Sequence, residues 1–485
     1  MSTNSERVFC KRAAGSAGQR VYDIATTRNI EHAAQEGLEP GTLMRRAGAA
    51  IARLALALSP HATTIWIPCG PGNNGGDGYA AALELVRLGK QPIVTQLPIA
   101  HPLSTDFQRY RDQALAVGVQ VLPTIPAAFE LCIDAMFGIG KCSHFDATSV
   151  AWIQAINASD ATVLSVDGPT GLNADTGQAS TYAVRADHTL SLLTLKPGFF
   201  TADAQDHCGD VWLNRLGVDL PNAAFARLGT LQTPVSRREN SHKGTYGDVA
   251  VIGGGDGMLG AAALCAKAAL QSGAGRVYVA LLASNAPSLD VCQPELMFRR
   301  IQDLDLGACV TVAGCGAGAA MVACIDDILR RARSLVLDAD ALNVLAQQPM
   351  SQVLLSERPS QTTVLTPHPL EAARLLGTTV QQVQANRFEA AQSIADRWDC
   401  VVVLKGSGTI IAAKGMPPTI NTTGGPSLAT AGTGDVLAGL IGSYIACGHD
   451  VVTAACRAVY HHGAMADGWP APPPSLSASR LAGVL

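Results

Sequence analysis

Short apolar and β-branched runs alternate with helical patterns along almost the whole chain. Clear examples in the first half are the runs at 63–70, 91–98, 131–138 and 162–169. Runs of this length, separated by stretches with helical periodicity, are typical of parallel βαβ units. The pattern therefore predicts an α/β fold with parallel sheets.

The alternation breaks once, at 229–244, where the chain is polar and without periodicity. A second series begins at 248–255 and continues to helices predicted at 434–448 and 451–467. Two large α/β domains fit this pattern and the length of 485 residues. We predict an N-terminal extension over 1–19, a first domain over 20–228, a linker over 229–240 and a second domain over 241–485.

The composition narrows the protein classes. Hydrophobic residues make up 48% of the chain and charged residues 15%, which excludes a disordered chain. The formal net charge of −4 gives no global attraction to nucleic acid or to a membrane surface. No apolar run reaches the roughly 20 residues of a membrane-spanning helix. The 13 cysteines form no CxxC pair and are odd in number, so we expect reduced thiols and a cytoplasmic protein.

A glycine-rich segment, 70–78, follows the first predicted strand. Its five glycines permit positive φ and close approach of a ligand, and their N–H groups can bind an anion. Asn73, Asn74 and Asp77 add oxygen ligands and hydrogen-bond donors. A tight turn is the alternative, but a turn needs only one or two glycines. We therefore predict a binding loop at this position.

Two aspartates end predicted strands, Asp134 after LCI and Asp167 after TVLSV. A carboxylate at the end of an apolar strand costs free energy unless it is hydrogen-bonded or bound to a ligand or cation. Thr170 follows Asp167 by three residues and adds a hydroxyl to the same crevice. Each aspartate taken alone could instead cap a helix.

The second half carries a glycine turn, 255–260, that matches GxGxxG between a strand and a helix. The following strand, 276–284, ends without the acidic residue that holds a ribose in a dinucleotide site. A stronger signal is AGTGD, 431–435, which precedes an apolar helix. Gly432–Gly434 would present amide donors at the helix start, and Asp435 would accept a hydroxyl proton as a general base. The alternative role for Asp435 is a helix N-cap.

These motifs resemble those of a known enzyme family. Residues 20–228 resemble NAD(P)H-hydrate epimerase domains, and residues 235–485 resemble ADP-dependent NAD(P)H-hydrate dehydratases. The first resemblance rests on 73–78, 134–140 and 167–177, and the second on 242–247, 253–261, 337–343, 366–371, 404–409 and 431–435. The fused pair is similar to bacterial bifunctional nicotinamide-nucleotide repair enzymes. The resemblance implies an N-terminal Rossmann-like αβα sandwich followed by a C-terminal ribokinase-like α/β domain.

By this resemblance, the first domain would interconvert the R and S hydrates of NADH and NADPH, called NADHX and NADPHX. Asp167 would act as acid and base at the reacting ring. Asn74, Asp134 and Thr170 would bind a potassium ion, a hard cation that prefers oxygen ligands. The implied dinucleotide contacts are Asn73, Asn74, Gly75, Gly76, Asp77, Asp167 and the loop Gly138, Ile139, Gly140, Lys141, Cys142, Ser143 and His144.

Two positions and one segment depart from the usual pattern of the epimerase family. Gly168 stands where the family usually has an apolar residue, and Thr170 where it has serine. The GIGKC sequence of 138–142 also differs from the more usual GTGL. A threonine hydroxyl can still serve as a ligand, and Lys141 would either contact a phosphate or make no contact.

The second domain would dehydrate the S hydrate with ADP, or with ATP as in some relatives, and with magnesium on the phosphates. The nucleotide would phosphorylate the ring hydroxyl, which is a poor leaving group, and phosphate would then depart. Asp435 would take the hydroxyl proton. His368 lies between two prolines and could equally be a turn residue. The implied hydrate contacts are Ala261, Gly318, His368 and Asp435, and the implied nucleotide contacts are Lys405, Gly406, Ser407, Gly408, Thr409 and Gly434.

Other functions stay open from the sequence alone. A ribokinase-like kinase for a vitamin precursor, such as a hydroxymethylpyrimidine, fits the second half, because such kinases share the GTGD chemistry. The attached NNGGDG domain argues against this alternative. A non-catalytic dinucleotide-binding protein fits an inactive first half, and a dehydrogenase fits least. The resemblance further implies NADHX, NADPHX and an adenine nucleotide as partners, a homo-oligomer, and no nucleic acid or membrane. It leaves ADP versus ATP and NADHX versus NADPHX undecided.

Overall fold

The computed structural model describes residues 18–99, 102–140, 145–230, 239–469 and 475–484. The chain forms two compact units, a first unit over Met1–Ala226 and a second unit over Arg227–Leu485. Most of the predicted extension, 1–17, and residues 231–238 of the predicted linker lie outside the described residues.

The first unit is built from strands and helices in alternation. Its strands are β1 (Arg20–Val21), β2 (Thr64–Cys69), β3 (Gln91–Gln96), β4 (Gln120–Leu122), β5 (Leu131–Asp134), β6 (Thr162–Val166), β7 (His188–Leu192) and β8 (Asp210–Asn214). Its helices are α1 (Ile24–Glu36), α2 (Thr42–Leu58), α3 (Asn73–Arg87), α4 (Thr105–Ala116), α5 (Ala147–Asn157) and α6 (Ala204–His207). Within the described residues, strands β2 to β8 form one parallel sheet in the order β4-β3-β2-β5-β6-β7-β8. The predicted parallel sheet is confirmed.

Helices cover both faces of this sheet, because successive side chains of a strand point to opposite sides. Ile65 and Ile67 of β2 belong to the core beneath α2 and α3. Trp66 belongs to the core on the other face, where it meets Trp152 of α5 with the ring centroids 6.2 Å apart. Burial on both faces explains why β2 is a continuous apolar run in the sequence.

The second unit repeats the alternation with more elements. Its strands are β9 (Ala226–Leu228, which begins at the boundary), β10 (Asp248–Gly253), β11 (Arg276–Leu281), β12 (Met297–Phe298), β13 (Val310–Ala313), β14 (Ser334–Leu337), β15 (Thr363–Leu365), β16 (Val401–Leu404), β17 (Ile410–Ala412) and β18 (Thr419–Ile420). Its helices are α7 (Leu259–Gln271), α8 (Ile325–Arg331), α9 (Asp340–Gln347), α10 (Pro349–Ser356), α11 (Pro369–Leu376), α12 (Val380–Ala385), α13 (Arg387–Trp398), α14 (Thr433–Ala446), α15 (Val451–Asp467) and α16 (Ala478–Leu481).

The sheet of the second unit is mixed. Its strands follow the order β9-β18-β17-β16-β15-β14-β13-β10-β11-β12. Strands β10 to β16 pair in parallel, whereas β17 is antiparallel to both β16 and β18. The alternating pattern predicts parallel strands throughout, and this prediction is wrong for β17. The chain reverses between β16 and β17 because Gly406 (φ 136°) and Gly408 (φ 59°) adopt conformations that glycine tolerates.

Helix α14 is buried on nearly every side and lies next to the sheet. A Cβ atom at Gly439 would overlap with the carbonyl oxygen of Cys265 on α7, so the two helices pack backbone against backbone. Leu440 and Ile441 join the apolar core with Val251 and Val312 of the central strands. This packing fixes the position of the N-terminal turn of α14, which carries Asp435.

Among the described residues the cysteines are free, and most of them are buried. In the same part of the chain, no helix combines the length and the apolar character needed to cross a membrane.

Candidate active sites

The predicted binding loop of the first unit is the start of a helix. Helix α3 begins at Asn73, with Gly72 as an N-cap that makes no side-chain hydrogen bond. None of the five glycines of 70–78, all of which are described, adopts a positive φ. The predicted loop is therefore helical from Asn73 onward and does not use the positive φ that its glycines permit, while its binding role stays a prediction.

Close packing explains these glycines instead. A Cβ atom at Gly75 would overlap with the carbonyl oxygen of Gly70. A Cβ at Gly76 would lie 2.6 Å from Met44 Cε, and one at Gly78 would lie 2.7 Å from Cys69 Sγ. Any larger residue would push α3 away from the end of β2. The glycines thus hold the N-terminus of the helix against the carboxyl edge of the sheet.

Asp134 is fully buried at the end of β5 and accepts four hydrogen bonds. Its Oδ1 accepts from Thr170 Oγ1 at 2.7 Å and from Met136 N at 3.3 Å. Its Oδ2 accepts from Ser165 Oγ and from Thr170 N, both at 2.9 Å. Burial raises the pKa of Asp134, and these hydrogen bonds oppose the shift. Within the described residues no lysine or arginine pairs with this carboxyl group.

The three predicted potassium ligands meet around one short segment, 137–138. With the Asn74 amide oriented so that both of its neighbours are satisfied, its nitrogen donates to Val166 O at 3.0 Å and its oxygen accepts from Gly138 N at 3.2 Å. The Thr170 hydroxyl lies 3.0 Å from Phe137 N and 3.3 Å from Phe137 O. The structure thus brings Asn74, Asp134 and Thr170 to the same edge of the sheet, with side-chain and backbone oxygens among them.

Asp167 follows β6 in a left-handed conformation, with φ 54°. Its Oδ1 accepts from Leu192 N at 2.9 Å and forms an ion pair with Lys196. The Lys196 side chain is fully buried, and its Nζ also donates to Leu192 O at 2.7 Å. Burial raises the pKa of Asp167, and Lys196 opposes that shift. One carboxylate oxygen is therefore fixed while Oδ2 stays available.

Asp167 lines a cavity of about 420 Å³ in the first unit. Of the predicted dinucleotide contacts, Asn73, Asp77 and Ile139 lie on its wall together with Asp167. Gly75 and Gly76 are buried by the protein itself. The predicted contacts Lys141, Cys142, Ser143 and His144 lie outside the described residues.

Gly168, the departure from the family pattern, has its own structural reason. It adopts φ 120°, a backbone conformation open to glycine, and a Cβ there would lie 3.0 Å from the Phe199 ring. This glycine shapes the turn that carries Asp167.

In the second unit, two glycine turns interlock at the ends of β10 and β13. Gly254 N donates to Cys315 O at 2.9 Å, and Gly255 N donates to Gly316 O at 2.7 Å. A Cβ at Gly316 would lie 2.8 Å from Ala261 Cβ. The GxGxxG segment thus braces the turn 314–318, and the predicted hydrate contacts Ala261 and Gly318 flank this junction.

Asp435 is the third residue of α14, so the N-cap alternative is wrong. The N-cap is Gly432, whose φ is 90°. Buried His462 supports this turn, since its Nε2 lies 3.0 Å from Thr433 O. Burial and, after it, the charge of Asp338 raise the pKa of Asp435 to about 6. Asp435 is thus a carboxylate at neutral pH but a stronger base than an ordinary aspartate.

Lys405, in the predicted nucleotide segment 405–409, forms ion pairs with two carboxylates near the start of α14. Its Nζ lies 2.6 Å from Asp338 Oδ1 and 3.9 Å from Glu371 Oε2. The Thr366 hydroxyl also donates to Asp338 Oδ1, at 2.8 Å. A Cβ at Gly434 would lie 3.5 Å from Lys405 Nζ, so the lysine reaches the N-terminal turn of α14. Predicted residues 405, 434 and 435 therefore converge.

His368 has a clear structural role. It is the N-cap of α11, and its Nδ1 accepts from Leu370 N at 3.1 Å and from Glu371 N at 3.3 Å. The Glu371 carboxylate in turn accepts a hydrogen bond from His368 N at 2.7 Å. Burial and the charge of Lys405 lower the pKa of His368. Only its half-exposed ring faces outward, so any contact with substrate would come from that side.

Sequence reasoning missed three buried charged residues. Lys196 and Asp338 were not named as site residues. Arg387, the first residue of α13, donates to Leu404 O at 3.2 Å and to Lys405 O at 3.3 Å beneath the predicted nucleotide segment 405–409. A signal existed for Lys196, because a lysine inside the apolar run 190–200 must find a buried partner.

Comparison with known proteins assigns both units. Residues 249–481 match the family model described as NAD(P)H-hydrate dehydratase, and residues 40–198 match the model described as YjeF-related protein N-terminus. The chain is 35% identical to the bifunctional NAD(P)H-hydrate repair enzyme Nnr of Coxiella burnetii over 467 residues, covering 92% of this chain and 94% of the relative. It is 33% identical to the enzyme of the same name from Escherichia coli, covering 89% of this chain and 85% of the relative.

Among solved structures, the second unit is similar to the ADP/ATP-dependent NAD(P)H-hydrate dehydratase of Bacillus subtilis co-crystallised with ATP and Mg²⁺. The identity is 31%, the coverage is 51% of this chain and 91% of that chain, and the TM-score is 0.43. The resemblance inferred from the motifs, with the α/β architecture that it implies for each unit, is confirmed by the matches to both halves and by the full-length relatives. The chain belongs to the family of bifunctional NAD(P)H-hydrate repair enzymes.

Proposed function

We propose that the chain repairs hydrated nicotinamide nucleotides with two separate active sites. The domain over 20–228 epimerises the R and S forms of NADHX and NADPHX. The domain over 241–485 dehydrates the S form to NADH or NADPH at the expense of ADP or ATP. The observation that carries this proposal is the presence, in one chain of this family, of one such carboxylate in each unit, Asp167 paired with Lys196 in the first and Asp435 near the Lys405–Asp338 pair in the second.

In the first site, Asp167 supplies the acid–base group. Lys196 and Leu192 N hold one carboxylate oxygen, which leaves Oδ2 to exchange a proton with the hydrate in the cavity. Asn73, at the start of α3, offers N–H groups and a positive helix end to the phosphates of the dinucleotide. This site needs no nucleotide triphosphate, because epimerisation is close to thermoneutral.

The donors around Asp134 fit a potassium ion. The buried carboxylate has no basic partner in the described part of the chain, and Thr170 and Asn74 add neutral oxygens. An all-oxygen set of low charge suits a large monovalent cation. A bound potassium ion would supply the positive charge that buried Asp134 lacks and would fix the segment 137–138 that borders the cavity.

In the second site, Asp435 takes the proton of the hydrate hydroxyl as a nucleotide phosphoryl group is transferred to it. The free N–H groups of Gly434 and its neighbours at the start of α14 stabilise the charge on the transferred group. Lys405, beside Gly434, neutralises the phosphate oxygens. Magnesium would accompany the nucleotide, and segment 405–409 would hold it. Departure of phosphate from the ring then restores the dihydronicotinamide.

The family's tendency to assemble extends the proposal. We place the protein in the cytoplasm, because its free cysteines fit a reducing compartment. We also propose that it forms a homo-oligomer, as the dehydratase domains of the family commonly do. Light scattering of the purified chain measures the assembly directly, and a monomer at micromolar concentration would contradict it.

The test is recovery of NADH from a mixture of R and S NADHX. The pure chain is incubated with potassium, magnesium and either ADP or ATP, and absorbance is followed in the NADH band. Full recovery of both forms supports two active sites and identifies the nucleotide. Recovery of about half shows a dehydratase without epimerisation. No recovery, combined with phosphorylation of a hydroxymethylpyrimidine, would favour the vitamin-precursor kinase.

A further inference from the structure

One carboxyl group in the first-unit cavity has no partner. Asp77 lies in the second turn of α3 and lines the same cavity as Asp167. Within the described residues, its side chain makes no hydrogen bond or ion pair, and the groups that act on it are two other carboxylates. Burial, and then the charges of Asp167 and Glu31, raise the pKa of Asp77 well above its usual value.

Asp167 differs from Asp77 in its partners, although burial raises its pKa as well. A buried ammonium group, Lys196, and a backbone N–H stabilise its ionised form. One cavity thus holds one carboxyl group without a cation beside it and one that is paired with a buried cation. Two titratable groups in such contrasting environments are the usual arrangement for a general acid and a general base.

The reaction needs both groups. The hydrate carries its hydroxyl on the ring carbon next to the ring nitrogen. To invert that carbon by exchange, one proton must be given to the departing oxygen, and another must be taken from the water that arrives. A single carboxyl group can do only one of these at a time.

We propose that Asp77 and Asp167 form an acid–base pair that inverts the hydrate by replacing its hydroxyl with a new water molecule. This inference rests on the epimerase function proposed above. Protonated Asp77 gives its proton to the hydroxyl, the carbon–oxygen bond breaks, and water leaves. The electron pair of the ring nitrogen forms a C=N bond, so the ring becomes a cation without oxidation or reduction.

The second half of the step returns the ring to neutrality. Water bonds to the same carbon from the other face, Asp167 takes its proton, and the electron pair of the C=N bond returns to nitrogen. Asp77 ends ionised and Asp167 protonated. The reverse epimerisation therefore uses the same pair with exchanged roles, as a freely reversible enzyme requires, and solvent resets the pair between turnovers in the same direction.

Other charged groups face this pair from the surrounding elements. They are Glu31 of α1, Glu39 before α2, Asp106 of α4 and the buried Lys196 behind Asp167. Glu31 interacts with both members of the pair, and its charge raises the pKa of Asp77. The variant Glu31→Gln is therefore expected to move the alkaline limb of the epimerisation profile to lower pH without removing it.

The first experiment follows the oxygen. The full chain epimerises isolated R-NADHX in H₂¹⁸O without any nucleotide, and mass spectrometry of early S product measures the label against an enzyme-free control. We expect about one ¹⁸O per inversion. Inversion with the original oxygen retained would overturn the proposal in favour of opening of the ring.

The second experiment separates catalysis from binding. For Asp77→Asn, we expect kcat of epimerisation to fall by about 10²-fold or more, with KM changed only a few-fold and the alkaline limb of the pH profile lost. The matched control is Glu84→Gln, which removes a carboxylate from the outer side of the same helix, where it pairs with Arg87. An unchanged kcat with a raised KM in Asp77→Asn would overturn the acid role.

Folding is monitored in the same samples. Dehydration of S-NADHX by the second unit should stay at the wild-type rate, and the melting temperature of the first unit at pH 8 should not fall, because the raised pKa of Asp77 makes its ionised form destabilising there. If the wild-type chain itself does not epimerise, the proposed function fails. If the wild type epimerises and Asp77→Asn does so equally well, only the acid–base pair fails.

Discussion

Both units place aspartates and a lysine at the carboxyl ends of parallel strands, but the lysine pairs with a different aspartate in each unit. In the first unit, Lys196 contacts the proposed base, Asp167, directly. In the second unit, Lys405 contacts Asp338, and the proposed base, Asp435, has no lysine or arginine in ion-pair contact among the described residues. Burial and Asp338 therefore raise the pKa of Asp435 to about 6. The comparison teaches that burial raises the pKa of both proposed bases, and that a lysine opposes this shift by direct contact in the first unit and without ion-pair contact in the second.

The largest expected effect separates the two sites. Asp435→Ala should lower the rate of dehydration by ~10²–10⁴-fold, because the hydroxyl loses its proton acceptor during phosphoryl transfer. Epimerisation should continue at the wild-type rate. Both rates are measured on one preparation, by NADH absorbance and by chromatography of the R and S forms. Similar losses in both activities would contradict two independent sites.

The second prediction breaks the ion pair of the first unit. Lys196→Met should destabilise that unit by about 3–5 kcal/mol, because it leaves the Asp167 carboxylate buried without its cation. The double variant Asp167→Asn/Lys196→Met should recover much of this stability. Hydrogen exchange of the β6 and β7 peptides reports the first unit alone. Equal destabilisation in the single and double variants would show that Lys196 acts by packing and not by charge.

The third prediction concerns the glycines that pack helix α3 against the end of β2 in the first unit. Gly75→Ala should destabilise the first unit by about 1–3 kcal/mol, because the new methyl group overlaps with Gly70 O and forces α3 off β2. Gly72→Ala, where a Cβ meets nothing within 4 Å, is the matched control and should change stability little. Thermal unfolding checks both. Equal effects would mean that the close approach of α3 to β2 is not what the glycine supports.

The smallest expected effect comes from a variant in which Lys405 can approach the proposed base, as Lys196 does in the first unit. The wild-type kcat/KM for dehydration should fall with decreasing pH around 6, to about a tenth of its plateau one unit below, as Asp435 takes up a proton. Asp338→Asn removes a neighbouring negative charge and frees Lys405 to approach Asp435. The acid limb should therefore move to lower pH, whatever the plateau rate. A limb that stays in place would show that burial alone sets the pKa.

Much of the fold was predictable because strands buried on both faces are apolar runs. The order of motifs was enough to identify β2, β5 and β6 and the carboxyl edge where the aspartates lie. The start of α3 was not predictable, since glycine is a poor helix former and packing against β2 overrides that preference. The antiparallel β16–β17 hairpin was not predictable either, because the hydrophobic pattern of a strand does not reveal its direction in the sheet.

The sites were predictable as motifs but not as networks. Asp134 with Thr170, and Gly434 with Lys405, are brought together as the sequence suggested. The pairing of Lys196 with Asp167 depends on the burial of a side chain 29 residues away, which no local pattern contains. His368 shows the reverse case, since its place before Pro369 already suggested a turn, and the structure makes it a helix cap.

The buried cysteine beside the second site bears on resistance to oxidants. Sγ of Cys315 lies within 4.8 Å of the Asp338 and Asp435 carboxylates, and a hydrogen bond with Cys265, followed by burial, raises its pKa far above the usual value. Peroxide and alkylating agents attack the thiolate, which is scarce at such a site. Exposed Cys292 would react first. We therefore expect oxidants to modify Cys292 before they reach the thiol beside Asp435.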